Sequence, residues 1–573
     1  MSPLVSVTPR RSKYTWASIP AALGFGLTLA VFLALTLYQL SLPGPNYDEA
    51  VEAQPAVQVL RGLPVEAHRD ATITVAGGPR GLGMRLPLMI VDYVGALNTY
   101  VLLAYFKLGG ISVPVMRLWP LTVAVIILWL TYRLGVATAG PRAGLLAAWL
   151  LAVQPSYVFF SRQGIYVTNT TIALSLGILL ALRQLGTTGR LRWWFLAALL
   201  AGVGLWAKFI MLWPLVATAA LAPVVWLLRR PLDLHVADSF RPRLLLSPKA
   251  LVGALAAFLL GMAPFLLFNF QTGATLKHFL GTLNESYYGV ANTDYLGNLV
   301  QRAGQLRDFL AGDHFWYLGS IASDRLAFPV WLAGLGIALL ALVFGRRAPG
   351  VRRLALAALL FYAFTALLLL QSPLTPTALW YTHLAVFSPY LALAVATAWD
   401  IPFRLLGGRT APWVTSATAV VFACVLGISS LTADVNYHRA LAISGGFADH
   451  SDTSYRLADY LRQAGISKPY ALDWGFKAPL ILISQGEVDP VEIFGYERVD
   501  APPEGVAEAI REHLQDPNAV FLLHMPERTN FPGRAELLDS EVVKAGKELE
   551  IIEVIRERSG AQHTVVLRQV SQP

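Results

Sequence analysis

Cysteine is nearly missing: the 573 residues hold one, Cys424, inside an apolar run, which excludes an intramolecular disulfide and leaves the redox compartment open. Charge is also scarce, at 14% against 55% hydrophobic residues, and the mean hydropathy of +0.52 is far above that of a water-soluble domain. Such a chain belongs in a bilayer. No small-residue cleavage site follows the first apolar run, Trp16 to Leu40, and the run is too long for a signal peptide, so it reads as a retained span. The net charge of +9 forms no basic stripe. Its Lys and Arg residues cluster between apolar runs as topology signals, which argues against a nucleic-acid partner. No internal repeat is evident, and that counts against an inverted-repeat transporter.

Uncharged runs dominate what is there. Ten follow the first, at about Leu118–Tyr132, Ala143–Phe160, Gly164–Leu182, Trp193–Ala207, Phe209–Leu228, Ala250–Phe270, Leu326–Gly345, Leu354–Leu370, Leu379–Trp399 and Ala411–Leu431. The fold class is therefore mainly α, a polytopic helical membrane protein of about eleven spans. The basic loops, from "PRRSK" to "GRRAPGVRR" and "DIPFRLLGGR", alternate with loops poor in Lys and Arg. The positive-inside rule puts them, and the N-terminus, on the cytoplasmic side of the plasma membrane. An odd number of crossings leaves everything after Leu431 outside.

The stretch "LMIVDYVGALNTYVLLAYFKLGG" is apolar but contains Asp92, Asn98 and Lys107. Counting it as a span would invert every later basic loop, so it is expected to lie at the interface, within a first external loop of residues 41–116. Residues 1–433 then form a membrane domain with a second long external loop at 271–325, rich in Tyr, Asn and charge and suited to sugar or acceptor contacts. Residues 434–573 carry charge throughout and runs such as "NAVFLLHM" and "HTVVLRQV" between helical patterns. They read as an extracytoplasmic α/β domain.

Asp48 and Glu49, in "LPGPNYDEAVEAQ", begin the first external loop, where an acidic pair at a helix start is ordinarily a cap. Arg117 lies inside the outer end of the next span, where an unpaired charge costs about 3 kcal/mol and needs a partner or a cavity. Arg162 sits in an external turn, Lys208 breaks "GVGLWAKFIMLWP" at an outer turn, and His383 enters near the outer end of another span. Each has an ordinary structural reading alone. Acid and several cations at one membrane face are what a site handling a lipid phosphate needs.

The order of "YDEA", "YVGALNTYVLLAYFKLGG…VMRLWPLTVAV", "PRAGLLAAWLLAVQPSYVFFSR", "GVGLWAKF", "APFLLFNFQTGAT" and "WYTHLAVFSPY" along the first 400 residues resembles the GT-C superfamily of membrane glycosyltransferases, of the protein O-mannosyltransferase and aminoarabinose transferase kind. The resemblance implies a polyprenyl-phosphate sugar donor and a hydroxyl acceptor on a glycan, lipid or protein, among membrane lipids. It also implies that Asp48 is the catalytic base with Glu49 beside it, and that Arg117, Arg162 and Lys208 line the donor phosphate site with His383 as helper. Where many relatives carry an acid after the Arg of the second external loop, this chain has Thr168 and Asn169. No metal or other cofactor is required on this reading, and Asp48 and Glu49 could hold only a weak divalent cation. The expected chemistry is a single displacement with inversion. The rival reading is a transporter or flippase for a lipid-linked substrate, which predicts charges or helix breaks near mid-membrane that these runs lack.

Overall fold

In hydrocarbon an apolar run can satisfy its backbone only as a helix. The computed structural model describes residues 18–75, 83–163, 166–284, 290–345, 348–375, 379–407, 411–496 and 505–570. Among these, eight helices are long and apolar enough to cross a membrane, from Val113–Thr138 to Trp413–Ser444. A ninth candidate is the pair Pro141–Ala152 and Pro155–Arg162, bent by 63°. The bend has a local cause: Pro155 drives Gln154 out of the helical region, to φ −72°, ψ 122°. Two shorter apolar helices, Ala21–Leu37 and Arg192–Ala207, complete the match to all eleven apolar runs. The chain is a multi-pass membrane protein.

The helix Leu97–Gly109 occupies the ambiguous stretch. Thirteen residues rise about 20 Å, short of the roughly 30 Å core, so it does not span. It packs instead on the helix Tyr47–Arg61, whose Ala50, Ala53 and Val57 recur at helical spacing and meet Leu102, Phe106, Val113 and Met116. Ala478, Ile481 and Leu482, from the distant helix Lys477–Ile483, close the same cluster. The first external loop therefore shares one core with the C-terminal part of the chain.

That part holds a five-stranded sheet in the order Val491–Glu492, Tyr470–Ala471, Val520–His524, Gln562–Gln569, Leu549–Arg556. The first three strands are parallel, and Gln562–Gln569 runs antiparallel to both its neighbours. Helix Pro412–Ser444 delivers the chain to it. Its 33 residues rise about 50 Å, well beyond the hydrocarbon, so the compositional change at Asp434 falls inside a helix rather than at a loop. The described residues of 271–325 are no open loop: they contain the helices Ala274–Gly281 and Tyr295–Ala311, and Leu306, Phe309 and Leu310 of the latter enter the main apolar core.

Candidate active site

The helix Tyr47–Arg61 starts in a capping box. Asn46 Oδ1 accepts from the Asp48 amide at 2.9 Å, and Glu49 Oε1 accepts from the Asn46 amide at 3.1 Å. The box fixes the helix start, and with it the directions of the next side chains.

Glu49 turns inward. It is 3% exposed and ion-paired with Arg117, which is fully buried, Arg117 Nε lying 3.2 Å from Glu49 Oε2. Arg117 also donates to the carbonyls of Leu40 at 3.0 Å, Pro43 at 2.8 Å and Gly44 at 3.4 Å. Arg162, also fully buried, donates to the carbonyls of Tyr38 and Gln39 at 2.5 Å and Leu42 at 3.3 Å, and pairs with His438 Nδ1 at 3.2 Å. Both guanidinium groups thus clasp the backbone that joins the first apolar helix to Asp48. A donor phosphate would reach them only by displacing those carbonyls.

Asp48 turns the other way. It is open to solvent although protein crowds it on every side, so it lies in a recess. Its carboxylate makes no hydrogen bond or ion pair among the described residues. Burial raises its pKa, the Lys208 ammonium pulls it back, and Asp449 of the C-terminal part raises it further. Glu52, one helical turn on, shares the recess. It accepts from Asn98 Nδ2 at 2.7 Å, while its own carbonyl accepts from Thr99 Oγ1 at 2.6 Å. Burial pushes the Glu52 carboxyl to about 8 against the pull of Asn98 and Lys208, and Asp48 adds to the rise. Asn98 Oδ1 accepts in turn from Trp119 Nε1 at 2.9 Å and Thr170 Oγ1 at 3.1 Å, which ties the recess to the segment where the family acid is missing. Asn169, at that place, is buried with no partner for its Nδ2 among the described residues, and the side chain of Thr168 lies outside them.

Lys208 is the cation facing these acids. It sits in extended conformation, φ −161°, ψ 137°, between the helix Arg192–Ala207 and the turn Phe209–Met211, and bridges to Val94 of the first external loop. Gly95 makes that approach possible, because a Cβ there would lie 2.3 Å from the Trp206 carbonyl oxygen. Burial lowers the Lys208 pKa while Glu52 and Asp48 raise it, and its ammonium has no hydrogen-bond partner among the described residues. His383, on the short helix Tyr381–Leu384, lies within electrostatic reach of Lys208 and of the buried Arg302.

The six residues picked from the sequence therefore fall into two groups: Asp48, Lys208 and His383 around the recess, and Glu49, Arg117 and Arg162 around the 38–44 backbone. Sequence reasoning missed Glu52, Asp449, Asn98 and Arg302. The spacing Asp48 to Glu52, one turn apart on one helix face, was the available signal for the first. Among the described residues no three His, Cys, Asp or Glu side chains stand together as a metal cluster. A cation at Asp48 would meet Glu52 and Asp449 rather than Glu49, whose carboxylate Arg117 holds.

No family model and no curated protein sequence matches the chain. Solved structures do. ArnT from Cupriavidus metallidurans in the apo state matches with TM-score 0.57 at 12% identity, over 96% of this chain and 98% of that one. ArnT bound to undecaprenyl phosphate matches with TM-score 0.55 at the same identity and coverage. The oligosaccharyltransferase AglB from Archaeoglobus fulgidus, in complex with an inhibitory peptide and a dolichol-phosphate, gives TM-score 0.49 at 13% identity, over 94% of this chain and 70% of that one. The likeness to ArnT runs the length of both chains, and it establishes the architecture: this chain is built on the GT-C fold.

Proposed function

We propose that the protein is an inverting glycosyltransferase that moves a sugar from a polyprenyl-phosphate donor to a hydroxyl acceptor on a glycan, lipid or protein. The observation that carries this reading is the recess itself, where a carboxylate and an ammonium, each without a hydrogen-bond partner among the described residues, face one another. The solved ArnT with undecaprenyl phosphate lends the donor class.

In the reaction the acceptor oxygen attacks the anomeric carbon and gives its proton to Asp48, whose raised pKa makes it a stronger base than an ordinary carboxylate. The bond from that carbon to the phosphate oxygen breaks with its electron pair staying on the phosphate, and Lys208 faces the growing charge. Arg302 adds positive charge on the Lys208 side of the recess, and His383 lies within electrostatic reach of both. Glu49, Arg117 and Arg162 keep the 38–44 backbone, and so Asp48, in register. Nothing in the scheme requires a metal ion. On this reading the N-terminus is cytoplasmic and the recess, the loop of residues 271–325 and the C-terminal α/β domain (434–573) lie outside the plasma membrane, where no nucleotide sugar is at hand.

Asp48→Asn tests the assignment. Sugar transfer from a polyprenyl-phosphate donor is expected to fall by about 10²- to 10⁴-fold, the usual worth of a positioned base, with the melting temperature kept. Wild-type turnover in the folded variant would end it.

A further inference from the structure

Away from Asp48, the joint between the helix Pro412–Ser444 and the sheet domain opens a cleft of about 840 Å³. Arg325, Arg439 and Arg558 line it, from the turn before the helix Ala327–Phe344, from Pro412–Ser444 and from the turn between the last two strands, and no carboxylate does. Arg558 is fastened, donating to Asp452 Oδ2 at 2.7 Å and to the Ala442 carbonyl at 2.6 Å. Arg325 and Arg439 are exposed and make no hydrogen bond or ion pair among the described residues. With Arg558 already paired to Asp452, the two guanidinium groups of Arg325 and Arg439 leave the opening net positive and open to an anion.

The surroundings say which kind of anion. Ile428 and Val435 on the same helix are 63% and 40% exposed, Ile443 at its end 78%, and Ile321 across the cleft 60%. An apolar face of a membrane helix with Arg439 near its outer end, opposite two further arginines, is the setting of a lipid headgroup, with Ile428 and Val435 on the hydrocarbon side and the cations at the phosphate level. The cleft is also many times larger than an inorganic ion needs, and Ser320, Ser323 and Ser559 add hydroxyls at its wall.

We propose that this cleft holds the headgroup of an anionic phospholipid, and so braces the sheet domain against the helix bundle. Asp452, which holds Arg558, lies next to Ser451, whose carbonyl oxygen would be 2.0 Å from a Cβ on Gly44. Asp449, two residues further back, bears on Asp48. A headgroup in the cleft thus steadies the wall of the recess without touching it. This site is separate from the donor's, since neither Asp48 nor Lys208 lines it.

Binding tests it without any assay of transfer. Delipidated full-length protein in detergent is titrated with phosphatidylglycerol or phosphatidylcholine and the complexes are counted by native mass spectrometry. The wild type is expected to prefer phosphatidylglycerol. Arg325→Gln with Arg439→Gln is expected to lose that preference, roughly thirty-fold in affinity for two arginines at a membrane surface. Ser559→Glu, which leaves both arginines in place and sets a carboxylate in the cleft, is expected to weaken phosphatidylglycerol as well. Wild-type affinity in either folded variant would overturn the proposal. Displacement of the lipid by millimolar inorganic phosphate would overturn the lipid in favour of a free anion.

Discussion

Asp48 and Glu49 are one residue apart, begin the same helix and end in opposite surroundings. A helical step of about 100° sends them to different faces. Glu49 meets Arg117 in a closed clasp with the capping amide and the loop carbonyls; Asp48 meets an open recess with Lys208 beyond it. Both sites join an acid to a cation at the same membrane end. What separates them is satisfaction: Glu49 spends its carboxylate on Arg117 and the capping amide, and Asp48 keeps its own for something else.

The comparison breaks most visibly at Arg117. Arg117→Met leaves the Glu49 carboxylate buried without its cation, and removing one partner of a buried pair costs about 3–5 kcal/mol. The variant is expected to lose that much unfolding free energy in a denaturant titration, and the double variant Glu49→Leu with Arg117→Met is expected to recover most of it. A single variant that melts like the wild type but binds donor poorly would move Arg117 into the recess group.

The recess has a pH signature of its own at Glu52. The Glu52 pKa rises from 4.5 to about 8 on folding, so the folded state binds more protons between those values than the unfolded one does. Stability from this group is full below about 4.5 and is lost as pH rises through 8. The wild-type melting temperature is therefore expected to fall across that window and Glu52→Gln to flatten the fall. Equal slopes would show that Glu52 keeps its ordinary pKa.

Lys208→Ala is the next smaller change. It removes a cation with no hydrogen-bond partner among the described residues, so stability is expected to hold while donor affinity drops by about ten- to a hundredfold, the worth of about 1.5–3 kcal/mol for a hydrogen bond to a charged group. Fluorescence or calorimetric titration with a polyprenyl phosphate reads it directly. Unchanged affinity would leave the recess without its phosphate contact.

The sequence made the bundle legible because hydrophobicity adds over twenty residues and a lone Lys208 or Asp92 stands out against it. Asp92 shows the limit of that signal. It lies outside every span, accepting from His68 Nε2 and Arg69 Nε at 2.7 Å, which holds its pKa at about 2. The clasp was legible only as charges out of place, since carbonyls of residues 38–44 have no side-chain signature. Asp449 was beyond reach for another reason: 401 positions separate it from Asp48, and it is tertiary packing, of Ser451 against Gly44 and of the helix Lys477–Ile483 onto Tyr47–Arg61, that brings the two parts together.

That packing supplies the smallest test. Tyr47, the residue before Asp48, has its ring 4.8 Å from that of Trp474, and its hydroxyl donates to Glu492 Oε1 at 3.1 Å and lies 3.2 Å from the Tyr496 hydroxyl. Tyr47→Phe keeps the ring contact and deletes one hydroxyl, while Glu492 Oε2 still accepts from Tyr496 at 2.8 Å. The loss is then about 1 kcal/mol, the net worth of an ordinary hydrogen bond. It is expected to fall on the junction between the sheet domain and the recess rather than on the bundle, so hydrogen exchange is expected to quicken in Tyr47–Arg61 and Lys477–Ile483 and stay unchanged in Val113–Thr138. Exchange that quickens equally in all three would mean that the two parts unfold as one unit, and that the recess is no softer than the clasp beside it.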